Sequence, residues 1–97
     1  MLENAKLVAE LLRLMANDNR LMILCLLLEK PRTVTELAEQ VQGITLSALS
    51  QHLQKLRQSN LIQAQKQGQY VWYSLKDERI RALMAVLKEN YCNMPME

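Results

Sequence analysis

The sequence predicts a mainly α-helical domain carrying one small β-hairpin, and three features of residues 43–76 predict it. Leu49, Leu53 and Leu56 stand at i, i+4 and i+7, the spacing of one buried helix face. The opposite face of that helix holds Ser47, Ser50, Gln51, Gln54, Lys55 and Gln58, all short or flexible hydrogen-bonding side chains. Two β-rich runs, 61–66 and 70–75, then flank Gln67-Gly68-Gln69 as in a hairpin. A short helix and a tight turn precede the polar-faced helix. Helix, turn, helix and hairpin in that order make a winged helix-turn-helix, with the helix pair over 33–59 and the wing over 61–75.

From the N-terminus, residues 2–15 read as an amphipathic helix with Leu7, Val8, Leu11, Leu12 and Met15 on one side. Asn17-Asp18-Asn19 supplies turn and N-cap chemistry for a helix over 20–29. That helix is apolar nearly all round, as a central buried helix should be, and Pro31 stops it. Thr33 and Glu36 have capping-box spacing at the head of the next helix. Leu37, Ala38 and Val41 are expected to face inward, with Gly43 as the left-handed C-cap. Asn60 tolerates positive φ and can turn the chain into the wing. There Val71, Tyr73 and Leu75 should alternate inward, leaving Tyr70, Trp72 and Ser74 opposite. Trp72 is open to two readings, stacking on a ligand or base, or packing across the wing or on a partner subunit.

Asp77 and Glu78 open the last helix, where negative charge suits the helix dipole. Ile80, Leu83, Met84, Val86, Leu87 and Tyr91 then make an apolar surface wider than one small core requires. The first helix has the same excess. Apolar helices left over at both ends of a winged module imply a two-fold homodimer built from 2–15 and 77–92. Such a dimer sets two recognition helices about 34 Å apart, on successive major grooves.

Composition narrows the function classes. Ninety-seven residues with 49% apolar side chains, two glycines and two prolines make a single folded domain, 1–97, and not a low-complexity chain. The longest apolar run, 21–28, is too short to span a bilayer, so no membrane partner is expected. No signal peptide is apparent, which points to the cytoplasm and to Cys25 and Cys92 as thiols. With one histidine, no CxxC, no Ser/His/acid set and no phosphate-cradling glycine loop, an enzyme is not expected, and neither is a cofactor. Charge placement says more than the net charge of +2. Between Glu39 and Asp77 there is no acid, while Lys55, Arg57, Lys66 and Lys76 contribute +4, leaving −2 for the remainder. All nine glutamines lie in the same window. Such a surface approaches phosphates without like-charge repulsion and can bond base edges, so the residues imply a DNA-binding module. A solvated polar face, or a protein-docking face, is the alternative, and docking would show little dependence on salt.

At this point the chain resembles the ArsR/SmtB repressors. The matching segments are Leu14-Met15-Ala16-Asn17 with Arg20-Leu21-Met22-Ile23-Leu24, then Thr35-Glu36-Leu37-Ala38, then Ser47-Ala48-Leu49-Ser50-Gln51-His52-Leu53. Leu56-Arg57, Leu61-Ile62 and the wing end Val71-Trp72-Tyr73-Ser74-Leu75 also match, so the resemblance covers nearly the whole chain. It implies that double-stranded operator DNA is the partner, with Ser47, Ser50 and Gln51 in the major groove and Ala48 beside them. Gln suits adenine edges, and Ala can pack on a thymine methyl. His52 and Lys55 are expected at phosphates, as are Lys66, Gln67 and Gln69 at the wing tip. His52 has an alternative role, holding the helix through a backbone hydrogen bond.

Many members of that family sense metal ions through a Glu-Leu-Cys-x-Cys segment or Asp and His ligands on the last helix. Here the first reads Glu36-Leu37-Ala38-Glu39-Gln40 and the one histidine is His52, so no metal site is expected. The Cys25 and Cys92 contexts are instead similar to the redox- and persulfide-sensing subgroup, the BigR-, SqrR- and HlyU-like repressors. That likeness implies that reactive sulfur species or oxidants link the two thiols within a protomer and release the operator. From the residues alone, two unreactive thiols serving as small hydrophobes is the alternative. Three departures stand out: Leu46 where relatives often carry a polar base-reading residue, Asp18 in place of a common proline, and a wing with one lysine among glutamines.

Overall fold

A computed structural model describes residues 2–92, with side chains for residues 3–91. The chain opens with a 3-10 turn, Leu2–Asn4, and continues as α1 (Ala5–Met15), so the expected first helix begins with a tighter turn. Next comes α2 (Asp18–Glu29), whose cap Asn17 accepts the Arg20 N–H at 3.2 Å. After Pro31 the chain forms β1 (Arg32–Thr33), then α3 (Val34–Gln40) and α4 (Leu46–Gln58). The wing is β2 (Ile62–Gln67) and β3 (Tyr70–Leu75), followed by α5 (Glu78–Leu87) and a π-helical turn, Lys88–Cys92. The architecture is the expected one, helical with a hairpin wing.

Four of the five α-helices, α2 to α5, begin at a side-chain cap, whereas Asn4 makes no such bond at the head of α1. Thr33 and Glu36 form the full capping box: the Glu36 N–H donates to Thr33 Oγ1 at 3.2 Å and the Thr33 N–H donates to Glu36 Oε1 at 3.1 Å. Thr45 caps α4 by accepting the Ala48 N–H at 3.0 Å, and Asp77 caps α5 by accepting the Arg79 N–H at 2.9 Å. The core joins Ile23, Leu24 and Leu27 of α2 to Leu37 of α3, the Leu49/Leu53/Leu56 face of α4, and Ile80 and Met84 of α5. Each such side chain, fully buried, is worth about 1.5–3 kcal/mol of transfer free energy.

The sheet has three antiparallel strands in the order β1–β3–β2, and β1 was not expected. Arg32 pairs with Tyr73 and Thr33 with Trp72, so the wing is stitched to the segment entering α3. A two-residue run has no detectable alternation, which is why the sequence conceals it. On the other side the register runs from Ile62 opposite Leu75 to Gln67 opposite Tyr70. The turn is therefore two residues, Gly68-Gln69, with Gly68 at φ +64, and Gln67 belongs to β2. Asn60 has φ +63, as its residue type suggested.

Four expectations are corrected. Ala38 is exposed, and Val34 packs on the core in its stead, because seven residues of α3 bury one narrow stripe. Gly43 adopts φ +77 but lies beyond Val41, the C-cap of α3, and so shapes the turn instead of capping the helix. Leu21 and Met22 are exposed on α2, with Cys25 half-buried on the same side, so that helix is not buried all round. Val71 is exposed, because the hairpin outruns the body at its tip, and of the inward row on β3 only Tyr73 and Leu75 reach the core.

Candidate nucleic-acid interface

The exposed face of α4 follows directly from its buried one. With Leu49, Leu53 and Leu56 inside, the 100° step per residue puts Ser47, Ser50, Gln51, Gln54 and Lys55 outside, and all five are exposed. Ala48 and His52 sit half-buried at one flank of that face. Thr45 fixes where the helix begins, and hence which side chains lie at its leading end. Lys55 and Arg57 occupy the last turn, where cations favour the helix dipole.

The wing divides its candidates. Cross-strand pairing puts Lys66 with Val71 on the face that continues from Tyr73 and Leu75, whereas Gln67 shares the other face with Tyr70 and Trp72. Lys66, Gln67 and Gln69 are all exposed at the tip, but Lys66 and Gln67 project to opposite sides of the ribbon. Trp72 is half-buried and lines an open cleft of about 450 Å³ with Lys30, Pro31, Glu36, Gln65 and Gln67.

Electrostatically the interface is uncluttered. Among the described residues the ion pairs are Arg32–Glu29, Arg79–Asp77 and Arg81–Glu78, so Lys55, Arg57 and Lys66 are left to solvent or to a ligand. Lys76 Nζ donates to Asn60 Oδ1 at 3.4 Å, at the base of the wing. Sequence reasoning left Gln54 and Arg57 out of the candidate set. The helical period that selected Ser47 and Gln51 selects Gln54 too, and the acid-free window contains Arg57.

Residues 17–64 match the model of the bacterial regulatory protein arsR family. The chain is 39% identical over 89 residues to the HTH-type transcriptional regulator YgaV of Escherichia coli K12, covering 92% of this chain and 90% of that protein. It superposes on reduced HlyU from Vibrio cholerae with a TM-score of 0.87 at 38% identity, covering 94% of this chain and 95% of the other. On the transcriptional repressor BigR from Xylella fastidiosa the TM-score is 0.85 at 30% identity, with 98% and 93% covered.

The chain belongs to the ArsR family.

It is accordingly a DNA-binding transcriptional regulator and not an enzyme. In this ArsR-family protein, outside the exposed face of α4 and the wing, the two cysteines and two carboxylates stand out. Cys25 lies half-buried on α2, packed against the core, and α2 in turn packs against α5. The backbone of Cys92 closes the π-helical turn that follows α5, while its side chain lies outside the described residues. Two carboxylates are held below their ordinary range. Glu36 is lowered chiefly by the Thr33 backbone N–H, and Asp77 by the Arg79 side chain and then the Arg79 N–H. Both anions sit at helix starts, so their job is to fix α3 and α5. Among the described residues no group of three or more His, Cys, Asp or Glu side chains could hold a metal ion, and no helix is long and apolar enough to cross a membrane.

Proposed function

We propose that this ArsR-family protein is a dimeric operator-binding repressor whose grip on DNA is released when Cys25 and Cys92 are linked by an oxidant or by reactive sulfur. The observation that carries the DNA half is the exposed, acid-free face of α4, with Ser47, Ser50, Gln51 and Lys55 in one row above a buried leucine stripe. Ser and Gln serve base edges, Lys55 and Lys66 serve phosphates, and a wing beside the helix reaches the flanking backbone.

Pairing of two copies is supported by the apolar side chains left outside the core. Leu7 and Leu12 on α1, and Val86 and Tyr91 near the C-terminus, are all at least half exposed. Covering them against the same surfaces of a second copy supplies a closed two-fold contact.

The thiol half is supported by the placement of Cys25 on a helix that packs against α5, and by likeness to HlyU, one structure of which is of its reduced form. A plain disulfide sends two electrons to the oxidant and releases two protons. A longer bridge retains sulfur atoms delivered by a polysulfide. Closing the loop from Cys25 to Cys92 is worth about 4–5 kcal/mol in chain entropy. Roughly 1–3 kcal/mol of coupling is enough for an allosteric switch.

Intact-mass and peptide mapping after treatment with inorganic polysulfide tests the bridge, paired with release of a fluorescent duplex. Cys25→Ser and Cys92→Ser should bind the duplex like the unmodified protein and stay bound after treatment. Release of Cys92→Ser with undiminished efficiency would defeat the two-thiol switch while leaving DNA binding intact.

A further inference from the structure

Leu46 is out of place by the logic of the core. It is 63% exposed, and among the described residues it is the one large apolar side chain exposed between β1 and β2. Neither the fold nor the helix start needs it. Thr45 already caps α4, and the staple positions on either side of the cap are Ile44 and Leu49, both committed to the core. Every other exposed neighbour on this end of α4 is polar: Ser47 beside it, and Ser50 one turn on.

Position settles what such a side chain can meet. Leu46 is the first helical residue, and side chains tilt toward a helix's N-terminus, so it lies at the leading end of α4. A recognition helix contacts base edges chiefly through its N-terminal residues. In the major groove the apolar feature offered by a base pair is the C5-methyl of thymine. Ala48, the other apolar candidate, is half-buried and has a single methyl to offer.

We infer that Leu46 is a specificity-determining residue that packs on the C5-methyl of a thymine in the operator. This deepens the DNA reading proposed above and rests on it. A hydroxyl or amide at this position would choose a base by donors and acceptors; leucine chooses by a methyl. Two copies on a two-fold operator read one such thymine in each half-site.

The test begins by selecting bound duplexes from a random pool with the unmodified protein, then replacing each thymine singly with deoxyuridine, which lacks only the methyl. One position per half-site should weaken binding by about fourfold, the effect of burying one methyl-sized group. Leu46→Ala, a change at an exposed site, should bind more weakly and lose that sensitivity, and Leu46→Gln should select a different base there. Indifference to deoxyuridine at every thymine of a duplex that is bound with steep salt dependence overturns the assignment to Leu46 alone. So does sensitivity that persists undiminished in Leu46→Ala. Failure to retain any duplex overturns the DNA reading itself, and this assignment with it.

Discussion

Arg32 Nε donates to the main-chain carbonyl of Leu26 at 3.1 Å, tying the last turn of α2 to the strand that pairs with the wing. Arg32 is only 8% exposed, and its guanidinium lies 3.6 Å from Glu29. A buried cation bonded to a helix-end carbonyl is costly to remove, because the carbonyl is then left without that partner. Arg32→Met, which keeps the stem and deletes the donors, should lower stability by about 1.5–3 kcal/mol in urea denaturation. An unchanged midpoint would show that the tie carries no weight.

The caps of α3 and α4 should differ in worth. Thr33→Ala breaks a reciprocal box and Thr45→Ala a single bond, so each should cost about 1 kcal/mol, with Thr33 the larger. Thr45→Ala should also weaken duplex binding, since it frays the leading end of the recognition helix. Denaturation and anisotropy on the same variants separate the two effects.

Acid should destabilise the fold through Glu36 and Asp77. Both carboxyls bind protons less readily folded than unfolded, so acidification favours the unfolded chain. Their stabilisation is complete above the ordinary values of 4.5 and 3.8, and is lost as pH falls below them toward the depressed folded values. Melting temperatures measured through that range should fall for the unmodified protein and change less for Glu36→Gln/Asp77→Asn. Equal slopes for the two would contradict the assignment.

The turn between α3 and α4 depends on Gly43. At φ +77 an added Cβ meets nothing within 4 Å, so the cost of a side chain is one of backbone conformation alone. Gly43→Ala should lose about 1–2 kcal/mol, and Gly43→Asn less. An alanine variant of full stability would mean that the turn relaxes into another conformation.

Legibility in the sequence followed periodicity and cap chemistry. The leucine stripe of α4, the Thr33/Glu36 box, the acidic opening of α5 at Asp77 and Glu78 and the positive φ of Asn60 are local signals, and each appears where the residues put it. What escaped was non-local or too short for a period. The two-residue β1 exists only because β3 is beside it. Exposure of Ala38, Leu21 and Met22 depends on which neighbours arrive, and composition does not encode that. In the candidate interface, the exposed row of Ser47, Ser50, Gln51 and Lys55 was readable from the 100° step. The division of Lys66 and Gln67 onto opposite faces required the register.

The measurement that bears most directly on the DNA reading is the salt dependence of duplex binding, from about 50 to 200 mM. Lys55, Arg57, Lys66 and Lys76 supply at most four phosphate contacts per protomer, eight per dimer. The logarithm of the binding constant should therefore fall against the logarithm of salt with a slope between about −3 and −7. A flat dependence, or no binding to any duplex, would contradict the assignment of this face to nucleic acid.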